Sequence, residues 1–257
     1  MKPTPCPLIP VLGCALLAWP LVAKADTIFT VPNTTADSFL SGNAPALNYG
    51  GAGTLAVAPA SSPKGEFDSI IKFNLAGAVS LFDTTYGAGG WLITGLTLRL
   101  AGSLGTQGAV PSNGNLNTVS GGNFAITWLG RDSWVEGNGG GNGAANGAVS
   151  FNSLASLFSA GSASLGTFTY TPPGNNVYAS YPLPLTASLV SDAAAGGDVS
   201  FYFSAADNQI GYLFNSRSFA SANPQLVVSV VPEPGTLALA ALALGGLLLS
   251  RRALKPR

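Results

Sequence analysis

Histidine is absent from all 257 residues, and the only two cysteines, Cys6 and Cys14, lie close to the N-terminus. The body of the chain therefore has no Ser-His triad, thiol nucleophile, His-ligated zinc or disulfide. Charge is scarce as well, with Asp, Glu, Lys and Arg making up 9% of the residues, so each charged side chain stands out. From Asp26 to Val231 ten acidic residues face five basic ones, Lys64, Lys72, Arg99, Arg131 and Arg217. A lysine-poor, acidic surface argues against nucleic acid as a partner, because such binding rests on neutralising phosphates. It suits a neutral or cationic partner, or an anionic one bridged by a metal.

The two ends carry the apolar runs. "MKPTPCPLIPVLGCALLAWPLVAKA" combines Lys2, an apolar stretch from Leu8 to Val22, and Ala23-Lys24-Ala25. This is the layout of a secretory signal with an A-x-A site, which predicts a signal helix over residues 1–25 and cleavage between Ala25 and Asp26. The rival is a lipoprotein box at "VLGC", with Cys14 lipidated, but the apolar run continues past Cys14. Both cysteines leave with the signal, so the mature chain has no thiol. At the other end "VVPEPGTLALAALALGGLLLSRRALKPR" has no charge from Thr236 to Ser250 and then Arg251, Arg252, Lys255 and Arg257. That run is roughly 22 Å of helix, against about 30 Å of hydrocarbon, so it predicts one short transmembrane helix with a cytoplasmic basic end.

Val231, Pro232, Glu233, Pro234 and Gly235, followed by this span and its Arg cluster, resemble a PEP-CTERM sorting signal. The resemblance implies a Gram-negative cell that makes extracellular polysaccharide. It also implies export by the Sec machinery, a transient stay in the inner membrane, and processing near Pro-Glu-Pro by an exosortase, with delivery to the cell surface or extracellular matrix. The chain then divides into a signal peptide (1–25), one domain (26–230) and a sorting signal (231–257).

That domain reads as strands almost throughout. Phe67, Ile71, Phe73 and Leu75 fall on one face of "FDSIIKFNL", with Asp68, Lys72 and Asn74 on the other. Leu92, Leu96, Leu98 and Leu100 alternate in "LITGLTLRL", as do Phe124, Ile126 and Trp128, then Val199, Phe201 and Phe203, then Leu226, Val228 and Val230. Only "SLASLFS" reads as a helix, from Leu154, Leu157 and Phe158. The expected fold is all-β: one antiparallel β-sandwich, jelly-roll-like, with a core including Ile71, Phe73, Leu96, Leu98, Phe201, Phe203 and Leu226. Two Gly- and Asn-rich stretches, Ala101–Gly122 and Glu136–Ala148, read as long surface loops.

"ADSFLSGNAPALNYGGAGTLAV", "FDSIIKFNL" and "ITGLTLRL" occur in the order of a DNRLRE-type domain. Asp37, Phe39, Leu40, Asn48, Tyr49, Gly50, Gly51, Leu55, Val57, Phe73, Leu75, Leu96 and Leu98 carry the resemblance. Later, Trp134 and Glu136 resemble the family's Trp-x-Glu, and Ser216, Arg217, Pro224 and Leu226 its closing strand, with Ser218 where the family has Glu. The resemblance implies a secreted β-sandwich related to carbohydrate-binding modules.

Sugar recognition needs an aromatic face with polar groups beside it. "WLGRDSWVEGN" offers Arg131, Asp132, Trp134 and Glu136, while Trp128 continues a core face. Paired carboxylates, the minimum for glycoside hydrolysis, are nearest at Asp132 with Glu136 and Glu66 with Asp68. No other cofactor is implied, and calcium is the metal that would suit an exported sandwich, at Asp37, Asp207 and Asn208. The expectation is a non-catalytic surface or matrix protein that binds polysaccharide. The alternatives are a scaffold without ligand and a polysaccharide lyase or glycosidase.

Overall fold

The computed structural model describes residues 26–103, 119–139, 142–143, 148–219, 221–233 and 235. The expected signal helix and transmembrane helix, most of the first glycine-rich loop and six residues of the second lie outside the described residues. Among the described residues no helix is long and apolar enough to cross a membrane.

Among the described residues thirteen strands and three α-helices follow in the order β1 (Thr27–Val31), β2 (Ala36–Ser41), β3 (Leu47–Asn48), β4 (Thr54–Val57), β5 (Phe67–Asn74), α1 (Ala76–Tyr86), β6 (Trp91–Ala101), β7 (Gly122–Leu129), β8 (Asn142–Gly143), α2 (Leu154–Phe158), β9 (Ser162–Tyr170), β10 (Tyr178–Leu183), α3 (Ala187–Ala194), β11 (Asp198–Ala205), β12 (Tyr212–Asn215) and β13 (Gln225–Pro232). One sheet runs β1-β13-β6-β10 and the other β2-β5-β11-β7-β9, with β4-β12 and β3-β8 as short ribbons. Every one of these pairs is antiparallel. Taking β1, β5, β6, β7, β9, β10, β11 and β13 as first to eighth, the sheets read first-eighth-third-sixth and second-seventh-fourth-fifth. Successive strands cross between the layers as two interlocked Greek keys do, which is jelly-roll order.

The inner faces meet in one core. Ile71, Phe73, Leu98, Phe201, Phe203 and Leu226 are wholly buried, and Leu96 nearly so. Phe124 of one sheet meets Tyr181 of the other edge to face at 5.1 Å. Trp128 is half-buried against this core, with its Nε1 donating to Asp192 Oδ2 at 2.7 Å.

Three sequence expectations change. The β6 alternation breaks at Thr94, where the register moves from Gly95–Ser229 to Ile93–Val230. The extra residue turns Leu92 outward, leaving it 46% exposed, while Trp91 goes inward. The second face of the β5 sheet is not solvated: Trp134, Val149 and side chains between Phe151 and Phe158 cover it in a smaller apolar cluster with Leu40, Ile70 and Leu129. Asp68 is therefore buried rather than exposed. Finally, α1 and α3 are helices that the sequence pattern did not show, in addition to α2, which it did. In α1, Ala78 and Phe82 bury a narrow stripe four residues apart, and α3 does the same with Leu189 and Ala193 behind a Thr186 cap.

Candidate functional site

Residues separated by up to 180 positions converge between the start of β2, the loop after β3, the loop after β7 and the loop after β12. Arg217 Nε donates to both Glu136 oxygens, at 2.7 and 2.9 Å, and its Nη2 joins Oε2 as well. The Arg217 amide donates to Asp37 Oδ2 at 2.7 Å, and the Asp37 amide donates back to Glu136 Oε1 at 3.1 Å. Thr34 adds its hydroxyl to Asp37 Oδ2 at 2.8 Å. Burial pushes the Asp37 carboxyl up to about 7; the Arg217 amide and Thr34 oppose this, and Glu136 adds to it. The other Asp37 oxygen, Oδ1, has no hydrogen-bond partner among the described residues, as suits a carboxyl that holds a proton readily.

Asn48 closes the same latch from below. Its Nδ2 donates to the carbonyls of Glu136 and Val149, at 2.7 and 2.8 Å, and its Oδ1 accepts from Gly139 at 2.9 Å. Gly50 passes so close that an added Cβ would lie 2.2 Å from the Glu136 carbonyl oxygen. Only glycine fits there. Ser216 Oγ completes the contact by donating to the Ala52 carbonyl at 2.9 Å. Thus "NYGG", "WVEG" and "NSRS" form one structural knot.

The four carbohydrate candidates divide between two environments. Glu136 belongs to the knot. Trp134 is 6% exposed, so little of its ring is open for a sugar to stack on, contrary to the expectation from sequence, although it lines a small cavity together with Arg131. Its Nε1 donates to Ser200 Oγ at 2.9 Å, and Ser200 in turn donates to Asp132 Oδ1. Lys72 Nζ lies 5.0 Å from the Trp134 ring and donates to the carbonyls of Asp132 and Trp134 at 2.8 and 3.2 Å. Burial raises the Asp132 carboxyl to about 6; Ser200 lowers it, and Asp192 and Asp198 raise it further. Arg131 is half-buried beside a cavity of about 140 Å³ that it lines with Ser133, Ser153 and Ser156.

The suggested calcium positions are engaged within the chain, and Asp37 belongs to the knot. Asp207 Oδ1 accepts from the Gln209 and Ile210 amides, both at 2.9 Å, and Oδ2 from the Asn123 amide at 2.6 Å. It ties a turn to β7, and those donors hold its carboxyl below the usual range although desolvation opposes them. Asn208 accepts from Ser61 Oγ at 3.4 Å. Among the described residues no three Asp or Glu side chains gather as metal ligands would. Asn208 instead borders a polar cavity of about 190 Å³, lined by Ser61, Ser62, Ser120 and Gln209. The carboxylate pairs are also engaged: Asp68 accepts from the Tyr202 hydroxyl, and burial pushes it up to about 7.

The sorting residues begin inside the sheet. Val231 pairs with Leu92 and Pro232 with Trp91, so β13 overruns the expected boundary at residue 230. Pro232 is buried, whereas a processing site flanked by two prolines is expected to be extended and solvent-accessible. The Glu233 amide donates to the Gly90 carbonyl at 2.9 Å. Beneath them Trp91 packs on Phe82 of α1, 5.2 Å between ring centres, and its Nε1 donates to Asp83 Oδ1 at 2.8 Å. Glu233 and Gly235 are exposed, and Pro234 lies outside the described residues.

The family model for the PEP-CTERM protein-sorting motif matches residues 230–252. That motif marks the chain as an exported protein sorted by an exosortase. The match covers the tail and not the sandwich, and no curated protein matches the chain.

Proposed function

We propose that the mature chain is a non-catalytic surface or extracellular-matrix protein, a DNRLRE-like sandwich that associates with polysaccharide, anchored briefly in the inner membrane before release. One observation carries this reading: the sorting motif continues β13 without a linker, so the sandwich itself is what the tail delivers. The residues behind the DNRLRE resemblance support it, since Asp37, Asn48, Gly50, Glu136, Ser216 and Arg217 meet in one knot.

A non-catalytic role fits the chemistry. Glu136 is held by Arg217, Asp132 by Ser200, and Asp68 is buried under Tyr202, so neither carboxylate pair faces an open cleft. For a ligand, the hydroxyl- and amide-lined cavity at Ser61, Ser62, Ser120, Asn208 and Gln209 suits neutral sugar hydroxyls better than the buried Trp134 does. Its roughly 190 Å³ is below the range of about 300–1,000 Å³ for enclosing sites, which favours one sugar unit of a longer chain.

The test is co-sedimentation of the processed protein with exopolysaccharide from an exosortase-bearing strain. Retention that falls at least severalfold in N208A/Q209A and stays unchanged in R131A supports the reading. No retention by the wild-type protein leaves the scaffold without ligand as the better account. Release of reducing or unsaturated sugar ends from the polysaccharide overturns the non-catalytic role.

A further inference from the structure

We infer that the outer face of the β1-β13-β6-β10 sheet binds carboxylates of an acidic polysaccharide, with Arg99 as the group that grips them. This rests on the reading of the domain as a polysaccharide binder and adds the chemistry of the sugar, a uronate. Alternation defines the face. β6 turns Leu96, Leu98 and Leu100 into the core, so Thr97 and Arg99 point outward. β10 buries Tyr181 and Leu183 and presents Tyr178 and Ser180, while β13 buries Leu226 and Val228 and presents Gln225. The register sets Ser180, Arg99 and Gln225 side by side in one row across three strands. Thr97 and Thr30 bring hydroxyls to the next row.

Arg99 is the only charged side chain in the four strands of this sheet. It is held in place before any ligand arrives. Its guanidinium lies 4.5 Å from the centre of the Tyr178 ring, and Nη1 donates to Gln225 Oε1 at 2.8 Å. The ring is fixed in turn, because the Tyr178 hydroxyl donates to the Asn223 carbonyl at 2.9 Å. Among the described residues Lys72 pairs with Asp198 and Arg217 with Glu136, whereas Arg99 meets no carboxylate. The stretch that follows β6, residues 104–118, contains no Asp or Glu to supply one. Stacked and pre-oriented, with Nε and Nη2 unspent among the described residues, the guanidinium matches the two oxygens of a carboxylate. The acidic excess of the domain does not oppose this, since the sheet carries no acid and exposed charges farther than about 8 Å are screened at physiological ionic strength. A peptide fits less well. β6 and β13 are interior strands whose backbone groups are spent on their neighbours, so no strand can add beside Arg99. What the face offers is hydroxyls, an amide and one cation, which are the partners of a sugar acid.

The experiment measures binding of the full chain in detergent to polygalacturonate and to alginate, with methyl-esterified polygalacturonate as the same polymer without its charge. The wild-type chain is expected to bind the uronates and not the ester, a contrast that needs no variant. R99A is expected to weaken binding at least about tenfold, as loss of a charge-assisted hydrogen-bonded pair does. R99K keeps the charge but not the fork and should recover little of the loss. R131A removes the same charge elsewhere and should bind like the wild type. Equal binding of the ester, wild-type affinity in R99A, full recovery in R99K or an equal loss in R131A overturns the inference. So does a wild-type chain that ignores both uronates. If that chain still co-sediments with exopolysaccharide, the polysaccharide reading stands without this site. Poly-L-glutamate bound as tightly as the uronates would make the recognised polymer a peptide, which overturns the inference too.

Discussion

Arg217 is the side chain on which most of the long-range order depends. Its guanidinium is 41% exposed, yet the Glu136 carboxylate that it forks onto is only 10% exposed and also caps the Asp37 amide. Removing one partner of a largely buried pair strands the other, so Arg217→Ala should cost on the order of 3 kcal/mol in urea unfolding. A loss below about 0.5 kcal/mol would class the contact as an ordinary surface pair. The carboxyls give a second prediction. Asp37 and Asp68 are each pushed up to about 7 by burial, above an unfolded value of 3.8. The folded state therefore binds their protons more tightly, and the stability they contribute is complete below pH 4 and lost as pH rises through about 7. Unfolding free energy should fall from pH 5 to pH 7, by up to roughly 1.4 kcal/mol per pH unit for each group. Asp207, whose carboxyl is held low, acts oppositely and only at more acid pH. The double variant D37N/D68N should flatten the profile, and an unchanged slope would refute the assignment. Asp37, Glu136 and Arg217 each stand out in the sequence, but for different reasons: a metal, a sugar, a closing strand. Nothing in a sequence shows that side chains 81 and 180 positions apart share a hydrogen-bond network.

At the scale of elements, strands with one face in the core are legible because burial imposes a period of two, and β13 follows it closely. What escapes is whatever breaks or masks the period. A single unpaired Thr94 exchanges the faces of Leu92 and Trp91, and a covering segment fills the outer face of β5. The helix α1 escapes because its buried stripe is only Ala78 and Phe82, within a stretch containing Gly77, Thr84 and Thr85, which are weak helix formers. The readable signal for α3 was Thr186 placed to cap the Leu189 amide. The overlooked α1 also supports the end of β13, which makes it testable. Trp91→Ala removes the buried ring that packs on Phe82 and should cost about 3–5 kcal/mol. The same variant should release the last residues of β13, seen as new cleavage by proteinase K between Val230 and Glu233 under native conditions. If the strand end stays resistant in this variant, Trp91 is not its anchor.

For the molecule as a whole, both ends of the domain leave at one place. Thr27, next to the expected signal cleavage at Asp26, pairs with Val230, and the Thr27 and Tyr86 hydroxyls meet at 2.5 Å. A chain threaded outward from its N-terminus and stopped by its tail would thus stand on the membrane by this end, with β1, α1 and β13 nearest to it. The tail adds about 15 uncharged residues from Thr236 to Ser250, with central Leu contributing around −0.3 to −0.6 kcal/mol each, so insertion is favourable without being irreversible. On the proposed reading of the tail as a transient anchor, Arg251 and Arg252 are costly to move across and would keep the C-terminus inside, with Glu233 at the outer face. Replacing Pro232, Glu233 and Pro234 together with Ala changes no residue of the apolar run and leaves every upstream β13 contact in place. The expected outcome is a folded domain that stays in the inner membrane at full length, while the wild-type chain is trimmed and released. Membrane fractionation and intact mass read both forms. If the triple variant is trimmed and exported at the wild-type rate, recognition does not pass through Pro-Glu-Pro, and the tail works as a plain membrane anchor.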